Sequence, residues 1–180
     1  MRAWVGAVLG LGLATGAAAQ TPLRLNGGDA TLPAGEWHVT ALADGAEARR
    51  SLGPGHDLTA RIRIEPLTGA PGADVLSRRM GDLQQALMAG KELTYFETAP
   101  LTQPGLRCLH AQSIRAEVPP YTVPDAPWGD YAVHRICALP GRAGLVVMLY
   151  SERLGPQDPL YPARDTEAQD FFDSFRPAAP

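Results

Sequence analysis

The chain has 180 residues, a net charge of −3 and 19% charged residues, and its basic residues stand singly or in pairs such as Arg49-Arg50 and Arg78-Arg79. Nucleic acid or an anionic membrane surface asks for a clustered basic face, so both are excluded as expected partners. The seventeen prolines and nineteen glycines fall mainly between apolar stretches and punctuate short elements, which excludes a disordered or repetitive chain.

The first residues, MRAWVGAVLGLGLATGAAAQ, carry one positive charge at Arg2, an apolar run from Trp4 to Leu13 and small residues Ala17 to Ala19 before Gln20. That layout is a secretory signal peptide over residues 1–19, too short for a membrane span of about 20 apolar residues. The expectation is a periplasmic or secreted protein. The mature part, residues 20–180, has the length of one domain, since domains run to about 100 to 200 residues, and no further apolar run of membrane length follows.

LRLNGGDATL and GEWHVTAL alternate around turn residues and predict short strands. In DLTARIRIEPL, Leu58, Ala60, Ile62 and Ile64 share one face while Arg61, Arg63 and Glu65 share the other, the pattern of a half-buried strand. From Gly72 the period changes. Leu76, Met80, Leu83 and Leu87 lay one apolar stripe along an amphipathic helix, with Gly90 as its expected C-cap and Met80 and Met88 as core filler.

Strands return in ELTYFETAP, GLRCLHAQSIRAEV, YAVHRICALP and GLVVMLYSER, the last two joined by a Pro140 to Gly144 hairpin turn. The nearly unbroken apolarity of LVVMLY predicts a strand in the sheet interior, covered on both faces. In DTEAQDFFDSFRP, Asp165 or Thr166 can cap a terminal helix with Ala168, Phe171, Phe172 and Phe175 on its apolar face, and Pro177 ends it. The expected fold is α+β, an antiparallel β-sheet flanked by a mid-chain helix and a C-terminal helix in an α/β/α sandwich.

In element order, and in the terminal Phe171, Phe172, Ser174, Phe175 cluster of FFDSFRP, the chain resembles the PsbP-like superfamily of small α/β/α sandwiches. The resemblance implies a binding or accessory module more than an enzyme, and it supplies no functional residues.

The two cysteines, in GLRCLH and HRICAL, each have a histidine nearby, so Cys108, His110, His134 and Cys137 form a candidate metal set. Side chains alternate along a strand. If Cys108 sits opposite Cys137 in an antiparallel pair, His110 faces Arg135, His134 faces Ala111, and only His110 shares the cysteine face. A tetrahedral site needs four converging ligands. An oxidising compartment favours instead a structural disulfide between Cys108 and Cys137.

Between the cysteines, EVPPYTVPDAPWGDY sets Tyr121, Trp128 and Tyr131 among prolines, with Asp125 and Asp130 for charge. Proline stiffens the unbound chain, so these aromatics lose little freedom on binding. Tyr121, Asp125, Trp128 and Tyr131 are therefore a candidate binding loop; the alternative is that the loop folds back over a sheet edge.

No HExxH, GxSxG or phosphate-binding loop occurs. The least implausible spatial triad is Ser113, His110 and Asp130. His38 and His56 read as surface or turn residues. The expectation is an exported, non-catalytic binding or accessory protein without cofactor, acting on an envelope protein or small ligand. The alternative is a metal-binding or hydrolytic envelope protein using its Cys and His residues.

Overall fold

Period-two alternation, with β-branched and aromatic residues at inward positions, organises most of the chain into strands. The structure is a computed structural model and describes residues 20–69, 71–89, 92–103, 105–116, 129–154 and 163–178. In chain order these form β1 (Thr21–Leu25), β2 (Gly28–Leu32), β3 (His38–Leu42), β4 (Gly45–Gly53), β5 (His56–Pro66), α1 (Ala73–Met88), β6 (Glu92–Gln103) and β7 (Leu106–Ala116). There follow β8 (Gly129–Ala138), β9 (Gly144–Leu154), α2 (Ala163–Asp173) and β10 (Arg176–Pro177).

Seven strands make one antiparallel sheet in the order β3-β4-β5-β9-β8-β7-β6, and β1, β2 and β10 make a second of three strands. β3 to β5 form one meander, and α1 carries the chain to the far edge. β6 to β9 then form a second meander that returns to close on β5, Leu58 opposite Glu152 and Ile62 opposite Met148. The run LVVMLY in β9 therefore lies mid-sheet, as its apolarity required, with Val146, Met148 and Tyr150 buried.

Leu76 and Met80 of α1 pack on Ala111, Ile136 and Leu145, on one face of the large sheet. Leu87 is also buried, whereas Met88 is exposed, so the expectation of Met88 as core filler is corrected: it falls outside the stripe. The helix ends at a C-cap on Ala89, and Gly90 lies outside the described residues.

The opposite face, with Leu58, Ala60, Ile62, Val133 and Met148, meets Phe171, Phe172 and Phe175 together with Leu23, Ala30 and Leu32. Here the expected α/β/α sandwich is corrected. The chain is mostly β, and among the described residues the second layer is the three-stranded sheet together with α2, not a helical layer alone. The alternation of Leu23, Ala30 and Leu32 predicted strands correctly. It carried no information on which sheet they join, because any apolar strand face can cover another. The final Arg-Pro pair likewise does more than end a helix: α2 stops at Asp173, and Arg176 and Pro177 pair with Asp29 and Gly28 of β2.

That junction is tight. Gly28 has φ +152°, and a β-carbon there would lie 2.4 Å from the carbonyl oxygen of Arg176 and 2.8 Å from the Phe175 ring. Gly28→Ala is expected to cost about 2 to 3 kcal/mol through backbone strain and overpacking, read as a lower urea midpoint with unchanged slope.

On the solvent side of β4 and β5 the charged residues pair off. Glu47 accepts from Arg49 at 2.8 Å and from Arg61, Asp44 pairs with Arg63, and Glu65 takes Arg79 of α1 through two bonds of 2.7 Å. The Arg63 hydrogen bond holds the Asp44 carboxyl below its usual range. The arginines of TARIRIE are thus a laced, solvated strand face.

Candidate functional site

The register of β7 on β8 places Cys108 opposite Cys137, His110 opposite Arg135 and Ala111 opposite His134. The expectation from side-chain parity holds at each of these three pairs. Cys108 and Cys137 form a disulfide, their α-carbons 4.0 Å apart, and both are buried. His110 shares their face and His134 lies on the other, toward α1. Both thiols are taken and the imidazoles are split by the sheet, so the four residues do not converge as metal ligands. Among the described residues no group of three or more His, Cys, Asp or Glu is placed to hold a metal ion.

The candidate triad also separates. Ser113 and Asp130 project to the α1 face, away from His110. The serine hydroxyl instead meets His134 Nε2 at 3.2 Å, and Asp130 accepts from Arg115 at 2.9 Å. Ser113 is fully buried and His134 nearly so. Burial pushes the His134 pKa down to about 3, helped by the nearby Arg115 charge, so the imidazole is neutral in the fold. Burial likewise lowers the pKa of His110.

A histidine depressed in the fold and ordinary in the unfolded chain makes the unfolded state bind more protons. Its stabilisation is complete above about pH 6.5 and declines as pH falls toward 3. His134 alone is expected to remove about 2 kcal/mol between pH 7 and pH 5. Urea unfolding across that range checks it, with His134→Gln showing the shallower slope.

Of the candidate loop, Tyr121, Asp125 and Trp128 lie outside the described residues. Tyr131 is described, and it is a core residue: it sits buried on β8 beneath α2, with its hydroxyl donating to Asp165. Its assignment to a binding loop is corrected, because parity points it inward beside Val133 and Arg135. The loop's ends, Ala116 and Gly129, pair directly. The disulfide stands at the other end of the same ladder, about 25 Å away at 3.4 Å per residue. It therefore tethers the opposite end of the strand pair from the loop.

What lies beside the disulfide is a cavity of about 610 Å³ between α2, β10 and the β6 edge. Its polar lining is Gln103, Arg135, Gln169, Asp173 and Arg176, and its apolar lining Leu101, Phe175 and Pro177. Leu101 stands opposite Cys108. Arg135 shares the cysteine face two residues before Cys137, so the bridge clamps the strands that floor the cavity.

Arg135 is the centre of this arrangement. Its side chain is 1% exposed, yet it carries a full charge into a layer of aromatic rings. The guanidinium is offset by its partners: Nη1 donates to Gln103 Oε1 at 3.0 Å and to Asp173 Oδ1 at 2.5 Å, and Nη2 to Gln169 Oε1 at 2.5 Å. It also lies 5.0 Å from the centroid of the Phe172 ring, within cation–π range. Gln169 and Asp173 are four apart on α2 and so project to one side. Among the described residues, Arg135 Nε is buried without a hydrogen-bond partner.

Asp173 is an acidic group in the last turn of α2, where the helix dipole disfavours negative charge. Arg135 holds it there. Arg176 satisfies the helix end itself, its Nη1 donating to the carbonyls of Asp173 at 2.5 Å and Phe175 at 2.9 Å.

Among the polar lining residues, none except Arg135 carried a signal in the sequence. Arg135 did: in YAVHRICAL it has the same parity as Val133 and Cys137, which places a charge at a core-facing position. Such a residue needs buried partners, and partners from β6 and α2 become adjacent only after folding. Comparison with known proteins adds no family: no family model matches the chain, and no curated protein matches its sequence.

Proposed function

We propose that this protein is an exported, non-catalytic binding or accessory protein of the cell envelope, and that it holds a small ligand in the cavity beside α2. The leader-like first nineteen residues support export. The PsbP-like resemblance in FFDSFRP supports an accessory role. The observation that carries the reading is the cavity itself: about 610 Å³, inside the roughly 300 to 1,000 Å³ range of small-molecule sites, with an apolar wall and a few converging polar groups. A neutral, buried Ser113–His134 pair facing α1 offers no comparable opening for a hydrolytic reaction.

Mature protein recovered from its native envelope fraction and examined by native mass spectrometry is expected to carry a small molecule. Leu101→Trp, which fills the cavity from its apolar wall, should retain the circular dichroism of the wild type and lose that mass. A wild type that arrives without any added mass, or a variant that retains it, overturns the reading.

A further inference from the structure

We infer that the ligand of this cavity is an amphipathic carboxylate whose head group displaces Asp173 from Arg135. The inference rests on the binding role proposed above and adds the chemical class of the ligand.

Charge sets the head group. Among the described lining residues there are two guanidinium groups, Arg135 and Arg176, and one carboxylate, Asp173. The cavity is therefore one positive charge in excess before any ligand enters. Arg176 spends its described hydrogen bonds on backbone carbonyls at the end of α2, which leaves its charge uncompensated by them. Such an excess favours an anion, and a planar oxyanion suits a guanidinium best, above all the desolvated one of Arg135.

The wall of Arg135 is also unfinished. Three donated bonds to described side chains leave its Nε buried with no hydrogen-bond partner among the described residues. A guanidinium carries five N–H donors, so Arg135 keeps donor capacity beyond the three described bonds.

Asp173 is the displaceable element. Its side chain is 62% exposed while that of its partner is 1% exposed, so it reaches the guanidinium from the solvent side and can rotate back into water. Leaving costs it little, because a carboxylate at a helix C-terminus is opposed by the dipole. A ligand carboxylate taking its place on Nη1 keeps Arg135 neutralised throughout. Leu101, Phe175 and Pro177 form the rest of the lining, an apolar surface that a bare inorganic anion would leave uncovered and an alkyl or aryl body would fill.

Octanoate and 1-octanol, titrated calorimetrically into the mature disulfide-bonded protein, separate head group from tail. Octanoate is expected to bind. Asp173→Asn, which keeps an acceptor for Arg135 and removes the competing charge, should tighten octanoate by about tenfold. Gln103→Glu, which sets a permanent carboxylate against Arg135 at the loss of the 3.4 Å bond from Gln103 Nε2 to the Phe172 carbonyl, should weaken it by about tenfold or more. Octanol should respond to neither variant by more than about twofold, since it lacks the charge that both substitutions address. Asp173→Asn should also show a thermal midpoint that octanoate restores.

Equal binding of octanoate and octanol, or an octanoate affinity that Asp173→Asn fails to raise, overturns the carboxylate inference while the cavity remains a ligand site. If the Asp173→Asn chain does not fold, the Gln103→Glu arm decides: octanoate affinity unchanged there overturns the inference. Failure of octanoate to bind the wild type overturns it too, and the binding role falls with it only if native mass spectrometry also finds no bound molecule.

Discussion

Arg135→Ala is expected to lower the stability of the fold by about 3 kcal/mol, and Arg135→Met by much less. The difference follows from where the partners of Arg135 are. Removing one member of a buried ion pair is severe when the other is left charged in the interior, but Asp173 is largely exposed and can rehydrate. The cost of the alanine lies elsewhere: Gln103, itself buried, loses the donor to its Oε1, the contact with the Phe172 ring disappears, and the emptied stem leaves a void beside Phe172. An unsatisfied buried amide costs about 1 to 3 kcal/mol and the aromatic contact about 0.5 to 2 kcal/mol. Methionine refills the stem volume and removes the need to bury a charge, which offsets part of the loss. Guanidinium chloride unfolding of the two variants checks the ordering. Equal losses would show that the charge and the donor to Gln103, which both variants remove, outweigh packing.

Removing the disulfide, as Cys108→Ala with Cys137→Ala, is expected to cost about 3.5 kcal/mol, because the cross-link closes a loop with a sequence separation of 29 residues and constrains the unfolded chain. The denaturant slope should rise as well, since an unlinked unfolded chain exposes more surface. The ladder from Ala116 opposite Gly129 to Arg107 opposite Ala138 contains many other pairs, so the native register should survive. A double variant with the wild-type midpoint would mean that the unfolded chain is already held compact in this region.

The two substitutions probe one place from two directions. The bridge clamps β7 to β8 at the end where Arg135 and Leu101 line the cavity, and the guanidinium ties that floor to β6 and α2. The far end of the ladder, where the proline-rich segment with Tyr121, Asp125 and Trp128 attaches, is held by neither.

Much of this protein was legible residue by residue. The alternation of Leu58 to Ile64 announced β5 and its charged outer face, the stripe from Leu76 to Leu87 announced α1, and Phe171, Phe172 and Phe175 announced the buried side of α2. Parity alone placed His110 with the cysteines and His134 away from them. Each of these follows from a period of 2.0 or 3.6 residues, which fixes the face a side chain takes with respect to its own backbone.

Tertiary structure decided what those faces meet. Period says that Leu23, Ala30 and Leu32 point one way, but pairing with β10 rather than with the large sheet depends on hydrogen bonds to a segment almost 150 residues later. The same limit hid the cavity. Leu101 and Gln103, Arg135, and Gln169 to Pro177 come from three distant stretches, each locally ordinary, and their chemistry exists only where the fold brings them together. The sequence by itself determined the elements other than β4 and β10 and the partner of each cysteine; the folded chain alone decided the second sheet, the inward place of Tyr131 beneath α2 and the acceptors that keep a buried guanidinium in place, because nonlocal contacts leave no period for a reader of the sequence to find.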